Sequence, residues 1–195
     1  MIAVVLCGGK SSRMGQDKGL ISYGGSSWAH KLKLQLEKVG LQVYLSISQE
    51  QTSDYQRIFA PTCLIVDHAS SQHINGPLRG MLSAHLRCPT HDILFVPCDM
   101  PLLAADTFQL WISHFQRLTH TPKVLVNQTP AHLQPLCGIY SAEALSRLWN
   151  GHQTKSLQNQ SMHHIVSDVI KADCLEVMDM LLPQFKNFNH PEDLD

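Results

Sequence analysis

The chain has 195 residues, a length that suits one domain and allows a substantial buried core. Hydrophobic residues make up 44% and charged residues 16%, a balance that excludes intrinsic disorder, and a formal net charge of −1 excludes nucleic-acid or membrane binding driven by bulk charge. Any phosphate site must therefore be a local arrangement. The opening apolar run, Ile2 to Cys7, is too short for a secretory core and has no basic residue before it. No apolar stretch approaches the roughly 18 residues of a membrane span, so the expected compartment is the cytoplasm.

Taken in order, the β-branched run Ile2–Leu6 ends in glycines and reads as a buried strand entering a loop. Trp28, Leu32, Leu36 and Val39 recur at helical spacing, with Gly40 as a stop. Val43–Ile47 and Leu64–Val66 read as strands, the latter ending at Asp67. Pro77 and Gly80 open a helix through Leu86, and Ile93–Val96 is a fourth strand running into Pro97-Cys98-Asp99. A helix is expected over Asp106–Leu118, strands over Val124–Val126 and Leu136–Tyr140, and a helix capped by Ser141 and ending near Asn150. Gly151–Ser161 is polar and reads as an exposed loop, followed by helical patterns around His163–Ile170 and Leu175–Leu182. Short apolar strands alternating with helices predict an α/β domain with a mostly parallel sheet and helices on both faces. There is no internal repeat, linker or low-complexity tract.

The six cysteines include no C-x-x-C, and several sit in apolar runs, so they read as reduced core thiols. The histidines are scattered. His163 and His164 are adjacent and so do not share a helix face, which offers no metal-ligand spacing.

Ligands of such sheets bind beyond the carboxyl ends of the strands, and three polar segments lie there: Cys7–Lys18, Asp67–Gly80 and Pro97–Leu103. In the first, Gly8 and Gly9 would bring backbone amides close to an anion, while Arg13 and Lys18 add positive charge. The segment is neither a P-loop, since Gln16 follows Gly15, nor a dinucleotide fingerprint, since Lys10 follows Gly9. In the third, Asp99 offers a carboxylate of the kind a hard cation such as Mg²⁺ takes. Read locally, Asp99 is also a turn residue between prolines, and Asn75-Gly76-Pro77-Leu78-Arg79-Gly80 is also a helix start with proline near its first position.

The stretch Leu6-Cys7-Gly8-Gly9-x-Ser11-Ser12-Arg13-Met14-Gly15-x-Asp17-Lys18 resembles the signature of the molybdenum cofactor guanylyltransferases, with its spacing from Gly8 to Lys18 intact and Cys7 in place of the usual alanine. Pro97-Cys98-Asp99-Met100-Pro101 resembles that family's metal-binding segment, and Gly76-Pro77-Leu78-Arg79-Gly80 its G-P-L-x-G loop. Asn187-Phe188-Asn189-His190-Pro191-Glu192-Asp193-Leu194 resembles its C-terminal ending, with His190 for threonine. Gln134-Pro135-Leu136 fits a segment near its acceptor site. One departure bears on the base: where members commonly carry asparagine, this chain has Ser46 and Ser48.

The resemblance implies a nucleotidyltransferase fold over residues 1–195, with a nucleotide-binding half at about 1–103 and a molybdopterin-binding half at about 104–195. It implies transfer of GMP from GTP to the phosphate of molybdopterin with release of pyrophosphate. Lys18, Arg13 and Asp99 are the implied catalytic groups, with Asp99 holding Mg²⁺. The implied nucleotide site adds Leu6, Cys7, Gly8, Gly9, Ser11, Gly15, Ser46, Asp67, Gly76, Pro77, Leu78 and Gly80, and the acceptor site takes Gln134, Pro135, Asn187 and Asn189. GTP and molybdopterin are the expected partners, with transient contact to molybdoenzyme maturation proteins and none to nucleic acid or membrane. The alternatives are a cytidylyltransferase acting on the same pterin, a sugar-1-phosphate nucleotidyltransferase, which the R-M-G-x-D-K version of the loop disfavours, and a non-catalytic nucleotide-binding adaptor, against which the retention of Lys18 and Asp99 argues.

Overall fold

All five residues of β1 (Ile2–Leu6) are buried, because the strand lies mid-sheet with both faces covered. Ala3 and Val5 enter one core, and Ile2, Val4 and Leu6 enter the other, as strand alternation requires. The computed structural model describes residues 1–9 and 17–189, and of Tyr23 the backbone alone.

After β1 comes a small hairpin of β2 (Ser22–Tyr23) and β3 (Ser26–Ser27), turned by Gly24 and Gly25, both at positive φ. Helix α1 (Trp28–Lys38) starts at Ser27, whose Oγ accepts from the His30 amide at 3.3 Å, and stops before Gly40 at φ 79°. Strand β4 (Val43–Ile47), a short helix α2 (Thr52–Gln56) and strand β5 (Leu64–Val66) come next. Helix α3 (Pro77–Arg87) begins with proline at its first position, preceded by Gly76 at φ 64° and ψ −157°, a conformation that only glycine adopts without strain. Then come β6 (Ile93–Pro97), α4 (Ala105–Arg117), β7 (Val124–Gln128), β8 (Leu133–Tyr140) and α5 (Ala142–Gln153). Ser141 caps α5, its Oγ accepting from the Ala144 amide at 3.2 Å. A turn α6 (Met162–His164) continues as a π-helical turn, and β9 (Asp173–Glu176) precedes a 3₁₀ segment over Asp179–Phe185.

The main sheet runs β5-β4-β1-β6-β8-β7-β9. Pairs β1–β4, β1–β6, β4–β5 and β7–β9 are parallel, and β8 is antiparallel to both neighbours. Helices α1 and α4 pack on the face that receives Val5, with Leu32, Leu36, Phe108, Trp111 and Phe115 fully or almost fully buried. Helices α3 and α5 cover the other face through Leu78, Met81, Leu82, Leu145 and Leu148. Each such buried side chain contributes roughly 1.5–3 kcal/mol.

Two expectations are corrected. The helical pattern at Leu175–Leu182 is split: Asp173–Glu176 adds to β7 as an edge strand, and the Val177 amide donates to the Gln128 carbonyl at 2.9 Å. Pairing with an open sheet edge outweighs a weak helical periodicity in so short a segment, and Pro183 limits the Asp179–Phe185 stretch to a 3₁₀ turn. Helix α5 also runs to Gln153 rather than stopping near Asn150. Among the described residues, no helix is long and apolar enough to cross a membrane.

Candidate functional site

The chain leaves β1 toward β4 and β5 on one side and returns to β6 on the other, so β1 and β6 flank a topological switch point. Crevices at such points, beyond the strands' carboxyl ends, are where α/β sheets bind ligands. Leu6 is in register with Pro97, and the Cys98 amide donates to the Leu6 carbonyl at 3.1 Å. This places Gly8 and Gly9, leaving β1, beside the Pro97–Met100 turn that carries Asp99. Gly9 has φ 144°, which favours glycine. The amides of Cys7 and Gly8 both donate to the Ser46 carbonyl, at 2.9 and 3.1 Å, so they tie the loop to β4.

Lys18 opens a 3₁₀ turn over Lys18–Leu20 capped by Asp17, whose Oδ1 accepts from the Gly19 amide at 2.9 Å. The Lys18 Nζ lies 3.1 Å from Asp99 Oδ2 and donates to Asn189 Oδ1 at 2.6 Å. The C-terminal segment reaches this point because the Phe188 amide donates to the Asp99 carbonyl at 2.9 Å. The Phe188 ring also packs edge-on against Trp28, 5.6 Å between centroids, in a small core with Ile21. The side chains of Lys18 and Asp99 keep 20% and 23% of their exposure, so the pair is half-sunk yet within reach of a ligand. The carboxylate of Asp99 and the amide oxygen of Asn189 are hard oxygen donors of the type Mg²⁺ takes, and in this structure both accept from the Lys18 ammonium. Among the described residues, no group of three or more histidine, cysteine, aspartate or glutamate side chains is placed to hold a metal.

On the other side of β1, Asp67 follows β5 and its amide donates to the Ile47 carbonyl at 3.0 Å. Its Oδ2 lies 3.4 Å from Arg79 Nε in the first turn of α3. Burial pushes the Asp67 carboxyl above its ordinary value, with Arg79 opposing and Glu50 reinforcing the rise. Gly80 packs against β4 so closely that a Cβ there would sit 2.6 Å from Ser46 Oγ. Ser46 is 1% exposed and Leu78 fully buried, so both face the core beneath the turn. Gly76 and Pro77 stand at the surface with Asn75, lining with residues 158–162 an open hollow of about 770 Å³.

Because β8 runs antiparallel to β6, its amino end brings Gln134 and Pro135 to the same edge of the sheet. Gln134 Nε2 meets His132 Nε2 at 3.1 Å, and the Pro135 carbonyl accepts from Tyr140 Oη at 2.6 Å. Asn187 is half-buried next to Phe188. Cys98 and Cys137 are buried beneath the site. A hydrogen bond with Cys7 and then burial push the Cys98 thiol up, and burial pushes up Cys137, so both stay protonated.

The structure thus brings Lys18, Asp99 and Asn189 into contact, gathers Leu6–Gly9 next to them, sets Asp67 beyond β4, and lays the start of α3 over the sheet with Gly80 against Ser46 and Leu6. Ser11, Arg13 and Gly15 lie outside the described residues, as do His190 and the end of the C-terminal motif. Sequence reading missed Gln51, Tyr55 and Arg79. Gln51 Nε2 donates to the Cys7 carbonyl at 2.9 Å and to Asp17 Oδ2, and Tyr55 Oη donates to Asp17 Oδ1 at 2.9 Å. The Ser48-x-x-Gln51 spacing, a capping pattern, was the signal that could have singled out Gln51.

Comparison with known proteins agrees with this architecture. The MobA-like NTP transferase domain model matches residues 3–169. A probable molybdenum cofactor guanylyltransferase of Nostoc sp. is 30% identical over 200 residues, covering 100% of this chain and 88% of that protein. The crystal structure of molybdopterin-guanine dinucleotide biosynthesis protein A from Archaeoglobus fulgidus superimposes with TM-score 0.74 at 18% identity, over 100% of this chain and 95% of that one. A CMP:2-keto-3-deoxy-manno-octonic acid synthetase complexed with CTP gives TM-score 0.72 at 11% identity, over 99% and 94%. These two structures share the fold.

Proposed function

The chain belongs to the MobA-like NTP transferase domain family and is a nucleotidyltransferase, and within that family we propose that it transfers GMP from GTP to the phosphate of molybdopterin. The observation that carries the reading is the meeting of Lys18 with Asp99 and Asn189 at the switch point, where a triphosphate would be held. In this reading the acceptor phosphate oxygen forms a bond to the α-phosphorus and pyrophosphate leaves. The acceptor is already ionised, so no strong general base is needed and positioning with charge stabilisation does most of the work. Lys18, together with Arg13, stabilises the negative charge of the triphosphate. Asp99, with Asn189 as a neighbouring oxygen, would hold Mg²⁺, which when bound supplies positive charge against the phosphate oxygens.

Residues 1–103 form the nucleotide half of the proposed site and 104–195 the acceptor half. The base and sugar meet the backbone where the loop leaves β1 at Gly8 and Gly9, since the Cys7 and Gly8 amides are taken by the Ser46 carbonyl, the Leu6 carbonyl by the Cys98 amide and the Cys7 carbonyl by Gln51, with Ser11 and Gly15 in the phosphate segment. Asp67 and the Gly76-Pro77-Leu78-Arg79-Gly80 turn border the nucleotide. Ser46 acts through its carbonyl, which ties down Cys7 and Gly8, since its side chain is spent in the core. Gln134, Pro135, Asn187 and Asn189 border the acceptor. Selection of guanine then rests on backbone groups, which are fixed, rather than on Ser46 or Ser48 side chains. The test is turnover of molybdopterin with GTP, CTP and ATP in parallel. The expected result is GTP over CTP by at least about tenfold in kcat/KM, a difference of roughly 1.4 kcal/mol. Preference for CTP, or none, would replace the guanylyl reading with the cytidylyl one.

A further inference from the structure

We infer that Gln51 is a positioning residue of the transfer site, stapling the beginning of the phosphate segment to its end so that Lys18 emerges facing Asp99; this rests on the reading of Lys18 as the ligand of the triphosphate. Both ends of the Gln51 carboxamide are used. Its Oε1 accepts from the Ser48 amide at 2.7 Å. Its Nε2 donates to the carbonyl of Cys7, the residue before Gly8-Gly9, at 2.9 Å, and to the carboxylate of Asp17, the residue before Lys18. One side chain therefore spans the two points between which the phosphate segment runs.

Asp17 is a stiff carrier. Its Oδ1 also accepts from the Gly19 amide and from Tyr55 Oη, each at 2.9 Å. Tyr55 is fully buried, and burial followed by Cys7 raises its phenol so that the hydroxyl stays a donor. Gln51, the residue before α2, and Tyr55 within it lie four residues apart, so both reach Asp17 from one side of the helix. A Cβ at Gly19 would collide with the Tyr55 hydroxyl, which holds the Lys18 turn against α2. With Asp17 anchored, the origin of the Lys18 side chain is set by where Gln51 and Tyr55 hold it, and a misplacement of about 1 Å at a reacting group is enough to cost turnover.

The chemistry required is narrow. Glutamate accepts from Ser48 but cannot donate to Cys7, and its charge faces Asp17. Asparagine is one methylene short. Methionine keeps the length and bulk with none of the three bonds. The experiment uses the full chain and measures dissociation constants for GTP and GMP directly, kcat and KM for transfer, and melting temperature. The variants are Gln51→Met and Gln51→Glu, each alone and combined with Lys18→Ala. Gln51→Met is expected to lower the GTP-over-GMP affinity ratio at least about fivefold and kcat at least about tenfold, with Gln51→Glu at least as damaging. Neither is expected to change the ratio further once Lys18 is alanine, because both act through the same group. Retention of the wild-type ratio and kcat in Gln51→Met would overturn the inference. So would an equal loss for GTP and GMP that tracks melting temperature. The underlying reading fails separately: a Lys18→Ala protein that keeps the wild-type ratio removes it, and a wild type that prefers CTP moves the same test to CTP and CMP.

Discussion

Lys18 meets Asp99 across a sequence separation of 81 residues and Asn189 across 171, whereas on the other side of β1 the close contacts of Ser46, Asp67, Arg79 and Gly80 arise within one stretch of chain from β4 to α3. The first region is charged and keeps partial exposure. The second is closed by packing, with Ser46 almost wholly buried under α3 and Gly80 leaving no room for a Cβ. The contrast shows how one crevice divides its demands. In the proposed site the charged region places a cation beside a carboxylate, and it is completed when the C-terminal segment returns, with the Phe188 amide on the Asp99 carbonyl and Asn189 on Lys18. The packed region has to keep a helix start and a strand end at fixed separation, which small residues in neighbouring elements do alone.

If the charged region carries the chemistry, damage there should cost function and leave the fold. Asp99→Ala is expected to lose the most, on the order of 100-fold in kcat or about 2.7 kcal/mol, with an unchanged circular-dichroism spectrum. Near-wild-type turnover in Mg²⁺ would remove Asp99 from the reaction. Lys18→Ala ranks next, with GTP binding weakened by roughly 1.5–3 kcal/mol and GMP binding much less, as read by calorimetry with each ligand. Equal losses would put Lys18 away from the β- and γ-phosphates.

The packed region should behave the other way. Gly80→Ala is expected to destabilise the fold by about 1–3 kcal/mol through overpacking against Ser46. Adding Ser46→Ala, which removes the colliding Oγ, should restore most of it in thermal or urea melts. A Gly80→Ala protein as stable as wild type would show that α3 is free to shift.

The smallest effect concerns Asp67. Its carboxyl is raised above its ordinary value, chiefly by burial, so the fold favours the neutral form. Ionisation of Asp67 therefore works against folding: the favourable contribution is complete below the ordinary value of 3.8 and is lost as pH rises through the raised one. Asp67→Asn should gain stability at pH 7, and the gain should shrink as the pH of the melt is lowered toward 3.8. A gain that does not change with pH would mean that packing or Arg79, rather than ionisation, sets the effect.

Local chemistry made much of the molecule legible beforehand. Apolar runs marked β1 and β6 because a strand buried on both faces has no room for polar alternation, and shorter apolar runs marked β4 and the edge strand β5. Gly76-Pro77 marked the start of α3 because one residue needs a left-handed φ and the next a preset one. Asp99 stood out as a charge at a strand end, and Lys18 as a charge in the glycine-led segment that follows β1. Asn189 was reached through resemblance alone, since nothing near it in sequence tells which group it will face.

Only the tertiary structure decided the matters of partner and side. Asp173–Glu176 became a strand because β7 offered an unpaired edge, which periodicity within the segment cannot register. Ser46 looked available to a base, yet the approach of Gly80 turned its side chain into the core and left its carbonyl to hold Cys7 and Gly8. Gln51 drew no expectation from the sequence, yet its carboxamide joins two ends of a loop from another element. A sequence fixes which groups a residue can offer and the period with which its neighbours repeat. Which groups accept that offer depends on distances between segments far apart in the chain, and those are set when two hydrophobic faces of one sheet are covered at once.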